Sequence, residues 1–288
     1  MIKKKFSKTR RYPLTHFFLI VTCIIILLPI LFTLLYSFFP KSEIDQYWKL
    51  RNNYDSNTFM PLLFSPRTVS IRQYYTLFIE DQSYLYLFLN SVLYSSLIVI
   101  GQAIFIPTMA YSLSRFEFRG RNVLYFLVLV LMVLPFQVTM APNVIALRAV
   151  GLLGTIWAVV IPNWIAPFYI FLIRQFMVSL PCELYEAGMM DGAGSWRLYW
   201  SVTIPVCKPV LCTAAVLSFS EQWNMVEQPL AYLQDMSQMP ISVIFGQLSD
   251  EKITTAFAGA ALCILPMLFI YLYFQDGIIT GLQLSELK

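Results

Sequence analysis

The chain has 288 residues, 58% of them hydrophobic and only 12% charged, with a net charge of +4. An ordinary soluble domain is about half apolar and about a quarter charged, so this composition excludes a water-facing fold of that kind. A bilayer supplies the missing apolar solvent, and the chain reads as one all-α membrane domain over 1–288.

Lys3, Lys4, Lys5, Lys8, Arg10 and Arg11 open the chain with no acid among them. Directly before an apolar run, such a cluster reads as a cytoplasmic anchor on membrane lipid, not as a nucleic-acid arm. About 20 apolar residues in helix cross the hydrocarbon layer. Six segments qualify: 17–39, 85–113, 123–144, 155–173, 210–233 and 256–274. The first exceeds a signal core and is followed by Pro40 and Lys41 in place of a small-residue cleavage site, so it reads as a retained span. Pro29, Pro107, Pro135 and Pro162 fall inside spans, where neighbouring helices rescue freed carbonyls and kinks are tolerated. With residues 1–16 inside, the inner segments carry thirteen Lys and Arg against seven outside. That places both termini in the cytoplasm, the core spans over 85–274 and a cytoplasmic tail at 275–288. The five cysteines lack CxxC spacing and read as small apolar residues; His16 reads as a boundary residue.

Two loops are long. The outer one, 40–84, is charge-balanced. The other, 174–208, is cytoplasmic in this topology and has a helix signature of its own. Pro181 suits a first helical turn, Glu183 and Glu186 complement the helix dipole, and Gly192 or Gly194 can end the helix in a left-handed conformation. Leu184, Ala187 and Met190 then share one side. Such an exposed apolar stripe suits a groove on a protein partner or the lipid headgroup layer, and composition does not separate the two.

Glu186-Ala187-Gly188, three residues, Gly192, nine residues, then Val202-x-Ile204-Pro205 resembles the EAA signature of ABC-importer permeases. That signature reads Glu-Ala-Ala, three residues, Gly, nine residues, Ile-x-Leu-Pro. Every spacing matches; Gly188, Val202 and Ile204 are conservative departures, and Gly188 costs some helix propensity. Other stretches resemble the sugar-importer, maltose-type branch of that family. They are Asn90-Ser91, the run from Ala110 to Gly120, Ser218-Phe219 with Trp223-Asn224, Pro229-Leu230, and Tyr273-Phe274 with Gly277 and Gly281. The resemblance extends from about Tyr74 to the C-terminus. It implies that Glu183, Glu186, Ala187, Gly188, Asp191, Gly192 and Pro205 form a coupling helix between spans four and five, seated on a separate ATPase. It further implies a homologous second permease, two ATP-binding subunits holding ATP and Mg, an extracytoplasmic solute-binding protein and a carbohydrate cargo.

In the fifth span, Glu221, Trp223, Asn224, Glu227 and Gln228 cluster on one side of a continuous helix. An acid at mid-membrane costs roughly 2.5–3.5 kcal/mol, so two imply protein or water around them. Either they line a sugar pathway, with Trp223 stacking on a pyranose face, or the helix ends early and they sit at the outer boundary. Gln102, Gln137, Asn143 and Asn163 read as interhelical hydrogen bonds. No phosphate-binding Gly-x-x-x-x-Gly-Lys-Ser/Thr sequence occurs, and the single His leaves no catalytic or metal-binding set. The expected function is therefore not enzymatic and needs no cofactor in this chain: the permease subunit of an ATP-driven carbohydrate importer in a bacterial cytoplasmic membrane. A polyol or glycerol phosphate ester is the alternative cargo, and a non-transporting scaffold or sensor is the rival of another class.

Overall fold

The computed structural model describes residues 13–52, 65–80, 82–245 and 253–286. The basic N-terminal cluster and residues 53–64 of the outer loop lie outside them. The described secondary structure is entirely helical. Among the described residues, five helices are long and apolar enough to cross a bilayer, or six spans if one sharply bent pair counts as one. The chain divides into two compact units, Met1–Glu80 with Ser249–Leu262, and Asp81–Leu248 with Cys263–Lys288.

In the first unit, α1 (Pro13–Tyr36) displays Phe17, Phe18 and Ile24 to Ile26 outward, an apolar sleeve suited to lipid. Where it ends, the chain is clamped by its own polar groups. The Gln73 amide donates to the Phe39 carbonyl, and the Tyr74 hydroxyl donates to Ser37 Oγ at 2.8 Å. The outer loop is therefore partly helical, with α2 (Lys41–Asn52), α3 (Arg72–Tyr75) and a π turn, Thr76–Glu80.

The second unit is built around α4 (Ser83–Arg115), a 33-residue helix. It packs against α7 (Ile156–Asn163), α8 (Pro167–Val178) and α11 (Ile204–Trp223). Thr108 and Ser112 return their hydroxyls to carbonyls four residues earlier, each at 2.9 Å, so they leave no unmet polar group facing hydrocarbon. At one end of the bundle α4 and α8 cap one another. Arg115 Nη2 donates to Met177 O at 2.7 Å and Leu180 O at 3.2 Å, while Arg174 Nε donates to Leu113 O at 3.2 Å. Cations over two helix C-termini also answer their dipoles.

The third expected span, 123–144, is not one helix. α5 (Arg121–Val133) and α6 (Phe136–Ala149) meet at 112°. Pro135 cannot donate into the ladder, and Leu134 before it adopts extended geometry at φ −69°, ψ 123°, as a residue preceding proline favours. Thirteen residues make a helix of only about 20 Å, so neither arm alone crosses the hydrocarbon. The fourth span is broken between Asn163 and Pro167, then runs on to Val178, past the expected limit of 173. Trp164 fills the break: its indole donates to Leu97 O at 3.1 Å and lies where Gly101 of α4 has no side chain.

The fifth span is the largest correction. It starts at Ser195 and ends at Trp223, not at 210 and 233. The loop expected at 174–208 thus shrinks to 179–194. Pro205, Lys208 and Pro209 made the first half look interrupted. The helix absorbs the prolines through α10 (Ser195–Leu198), a π turn at Tyr199–Thr203, and Pro205 in the first turn of α11. Beyond it come α12 (Glu227–Tyr232), α13 (Ile241–Phe245) and α14 (Ile253–Glu286). α14 outlasts the expected last span, so the tail from 275 is helical as far as Glu286.

A methyl group on Gly101 would overlap the Trp164 indole. Gly101→Ala should destabilise the unit by about 1–3 kcal/mol, the usual cost of overpacking, and lower the thermal unfolding midpoint of detergent-solubilised protein. An unchanged midpoint would show that the indole does not occupy this seat.

Candidate functional site

The segment between α8 and α11 is a short helix on a firm base. α9 (Glu183–Met190) opens just after Pro181, with Glu183 and Glu186 in its first turn. It closes in a complete Schellman arrangement. Gly192 takes φ +76°, its N–H donates to Met189 O at 2.9 Å, and the Ala193 N–H donates to Gly188 O at 3.0 Å. The left-handed position is filled by the residue that tolerates it. Gly194 instead sits at φ −71° and opens α10, so of the two glycines Gly192 ends the helix.

The two faces of α9 differ. Glu183, Leu184, Glu186, Ala187 and Met190 are exposed, Met190 at 88%; Asp191, which ends the helix, is exposed too. Inward, Tyr185 is buried and Gly188 lies against Leu198, whose side chain a Cβ at 188 would overlap. Gly188 is therefore a close-packing position and not merely a weak helix former. Pro205 is exposed at the start of α11. The residues expected to form a coupling helix are thus gathered at one end of the bundle, with an exposed apolar stripe and a buried root.

The polar residues after Ser218 are arranged otherwise than a continuous helix requires. α11 stops at Trp223, with Asn224 at its C-cap, and Glu227 and Gln228 belong to α12. Trp223 does not face open space. It is 4% exposed, stacked on Phe219 at 5.6 Å and edge-on to Phe88 at 5.6 Å, so in this conformation it is a packing residue and not a sugar platform. Glu221 is exposed and accepts from the Tyr169 hydroxyl at 2.9 Å. Glu227 accepts twice from Gln137 Nε2, at 2.9 Å each, and Gln228 pairs with Asn163. Asn224 turns back to Ser220 O at 2.8 Å.

The single polar residues of the other spans do bind helices together. Ser218 donates to Gln102 Oε1, and Gln102 Nε2 donates to the Asn163 carbonyl at 2.7 Å, freed by the break in the fourth span. Gln102 and Tyr169 also line a cavity of about 80 Å³ with Ile106, Pro107 and Ala214. Ordinary ligand pockets measure about 300–1,000 Å³, so this cavity alone does not hold a sugar. Toward the same end, α4 straps the following loop: Asn90 Nδ2 donates to Ser237 O at 2.7 Å and Tyr94 to Gln238 O at 2.6 Å. Asp235 there accepts from the Ser237 N–H at 2.9 Å, which holds its carboxyl below the usual range.

Tyr169, Ser218, Arg115, Tyr185 and Thr203 escaped the sequence reading as site residues. Arg115 registered as a positive charge and as one position of the Ala110–Gly120 resemblance, with no role of its own. Tyr185 could have been found by asking what lies opposite the Leu184–Ala187–Met190 stripe.

The sequence profile described as "Binding-protein-dependent transport system inner membrane component" matches residues 82–282. This chain belongs to that family. The permease is 30% identical, over the full length of both chains, to the arabinooligosaccharides transport system permease protein AraQ of Halalkalibacterium halodurans. It is 28% identical to the diacetylchitobiose uptake system permease protein NgcG of Streptomyces coelicolor, covering 94% of this chain and 88% of that one. In fold it resembles a chain of a bacterial ABC transporter that imports the acidic polysaccharide alginate, with a TM-score of 0.76 over 91% of this chain and 94% of that one, at 22% identity. The permease is thus a multi-pass component of the cytoplasmic membrane, and the family match begins at Gln82, the residue before α4.

Only glycine takes the Gly192 conformation without penalty; a side chain there costs roughly 1–2 kcal/mol. In Gly192→Ala, amide exchange at residues 187–193 should quicken about five- to thirty-fold while α4 and α11 keep their protection. Equal protection throughout would contradict the role assigned to this turn.

Proposed function

We propose that this permease forms half of the membrane pathway of an ATP-driven carbohydrate importer, with α9 as its coupling helix. The observation that carries the reading is the division of α9 into an exposed apolar stripe and a root buried among spans two, four and five. A helix built this way receives a push from outside and passes it inward without chemistry of its own. α9 and both termini lie in the cytoplasm, in keeping with the excess of Lys and Arg in the inner segments. Two separate ATP-binding subunits carry ATP and Mg. Leu184, Ala187 and Met190 fill an apolar groove on one of them, while Glu183, Glu186 and Asp191 meet basic groups or N–H donors at its rim. A homologous permease completes the pathway, and an extracytoplasmic binding protein delivers the solute.

The carbohydrate assignment is supported by the relatives named for arabinooligosaccharide and diacetylchitobiose transport and by the exposed Glu221 carboxylate, an acceptor suited to sugar hydroxyls. The cavity beside Gln102 and Tyr169, too small for a sugar by itself, agrees with a path completed by a second permease. Trp223 is not part of it in this conformation.

Cys182 is exposed at the start of α9 and serves as a native probe. A membrane-impermeant maleimide should label it in inside-out vesicles and not in right-side-out ones, with Cys182→Ser as control. Binding of the ATPase should protect it. Glu186→Lys should lower ATPase co-purification and solute uptake at least tenfold, since a hydrogen bond to a charged group contributes about 1.5–3 kcal/mol. Labelling from the outside, or wild-type protein that brings down no ATPase, overturns the coupling role and favours a scaffold or sensor. Uptake assays with labelled oligosaccharides, polyols and glycerol phosphate esters test the cargo; loss of only the last two in a deletion strain would overturn the carbohydrate reading.

A further inference from the structure

α9 is held to the spans by more than its two chain connections. Its one buried side chain, Tyr185, reaches three spans at once. The Arg115 guanidinium at the end of α4 covers the ring, with Cζ 3.8 Å from the ring centre. The same guanidinium donates to Met177 O and Leu180 O, where α8 ends. The Tyr185 hydroxyl lies 3.1 Å from Thr203 Oγ1. Thr203 is fully buried, and its Oγ1 donates to Leu198 O at 3.3 Å. With that proton committed, Thr203 accepts from Tyr185. The relay therefore runs from the Tyr185 O–H to Thr203 and on to the carbonyl just before the π turn Tyr199–Thr203.

A π turn holds one residue more than an α turn and is a common place for a helix to yield. This one lies in the foot of the fifth span, between the coupling loop and the 20 residues of α11. Its flanks are also held. The Tyr111 hydroxyl donates to Ser195 O at 3.2 Å, and the Thr108 and Tyr199 hydroxyls are 3.2 Å apart. On α9, by contrast, the only hydroxyl that reaches the turn is that of Tyr185. A plain anchor would need only the ring. The hydroxyl adds a directional bond to the turn, aligned to transmit displacement rather than merely to fill space.

The geometry points to Tyr185 as a positioning residue that links movement of α9 to the π turn of the fifth span, with Thr203 as its acceptor and Arg115 as the bracket that fixes its ring. This rests on α9 being the coupling helix. Loss of the hydroxyl leaves α9 docked on the ATPase but slack against the fifth span.

The test uses the complete transporter, reconstituted with its ATPase subunits, second permease and binding protein in vesicles. Tyr185→Phe and Thr203→Val should keep the ATPase bound and retain at least half of wild-type ATP hydrolysis. Solute moved per ATP should fall threefold to tenfold. Thr203→Ser, which restores an acceptor, should recover most of the ratio. The Tyr185→Phe/Thr203→Val pair should be no worse than Thr203→Val alone, since the bond that Tyr185→Phe removes is already absent there. An unchanged ratio in both single variants overturns the proposal. So does a parallel fall of uptake and hydrolysis, or no rescue by serine, because a purely structural role gives those results. Should Tyr185→Phe fail to assemble, the two single variants Thr203→Val and Thr203→Ser decide. Failure of the wild-type complex to retain any ATPase is a separate outcome: it removes the coupling reading itself, and this proposal with it.

Discussion

Hydrocarbon offers no hydrogen bonds, and every departure from regular helix in a membrane must therefore find its partner within the protein. That constraint explains where the polar side chains of the second unit go. The break in the fourth span frees the Asn163 carbonyl, which receives Gln102. Trp164, set within the break, donates to Leu97. The ends of α4 and α8 leave carbonyls that Arg174 and Arg115 satisfy in exchange. Polar residues that look like isolated blemishes in apolar runs are the means by which broken helices remain inside the bilayer.

The segment that carries α9 is held by local contacts of another kind. A helix of eight residues has little stability alone, and α9 makes up the deficit through its ends and its root. The Schellman turn at Gly192 satisfies its last carbonyls, Gly188 admits Leu198, and Tyr185 enters the cluster shared by α4, α8 and α11. What remains outside is Leu184, Ala187 and Met190, apolar surface that none of the described residues covers. Stability on one face and exposure on the other are what a docking element needs.

How much of this was legible in the sequence depends on how local the signal is. α9 was readable because Pro181, Glu183, Glu186 and Gly192 each act within a turn of themselves, and the EAA spacing lies along the chain. The limits of the fifth span were not. An apolar window is drawn away from Pro205, Lys208 and Pro209, although a π turn lets a helix carry them. The same window ran on through Trp223, because nothing apolar marks the break at Asn224. The helical wheel that grouped Glu221 with Gln228 failed for that reason: it assumed one helix where there are two. Pro135 was visible, but its consequence, 112° rather than a modest kink, is set by what surrounds it. Arg115 was invisible in another way, since its role lies in carbonyls sixty-odd residues further along.

α11 joins the two regions. Thr203 stands at its foot, with Ser218 and Glu221 near its far end, and eighteen residues of helix make a strut of about 27 Å. Beyond the π turn the strut is firm, for Cys207, Val210 and Ala214 are packed in the cluster with α4 and α8. A shift at the foot is thus not dissipated along its length. It reaches the level where Ser218 meets Gln102 and Glu221 meets Tyr169, the first pair buried between spans and the second with its carboxylate exposed. A bundle strapped at one end by Arg115 and Arg174, and joined at the other by side-chain contacts between spans, has one end tied through backbone carbonyls and one where these pairs meet side chain to side chain.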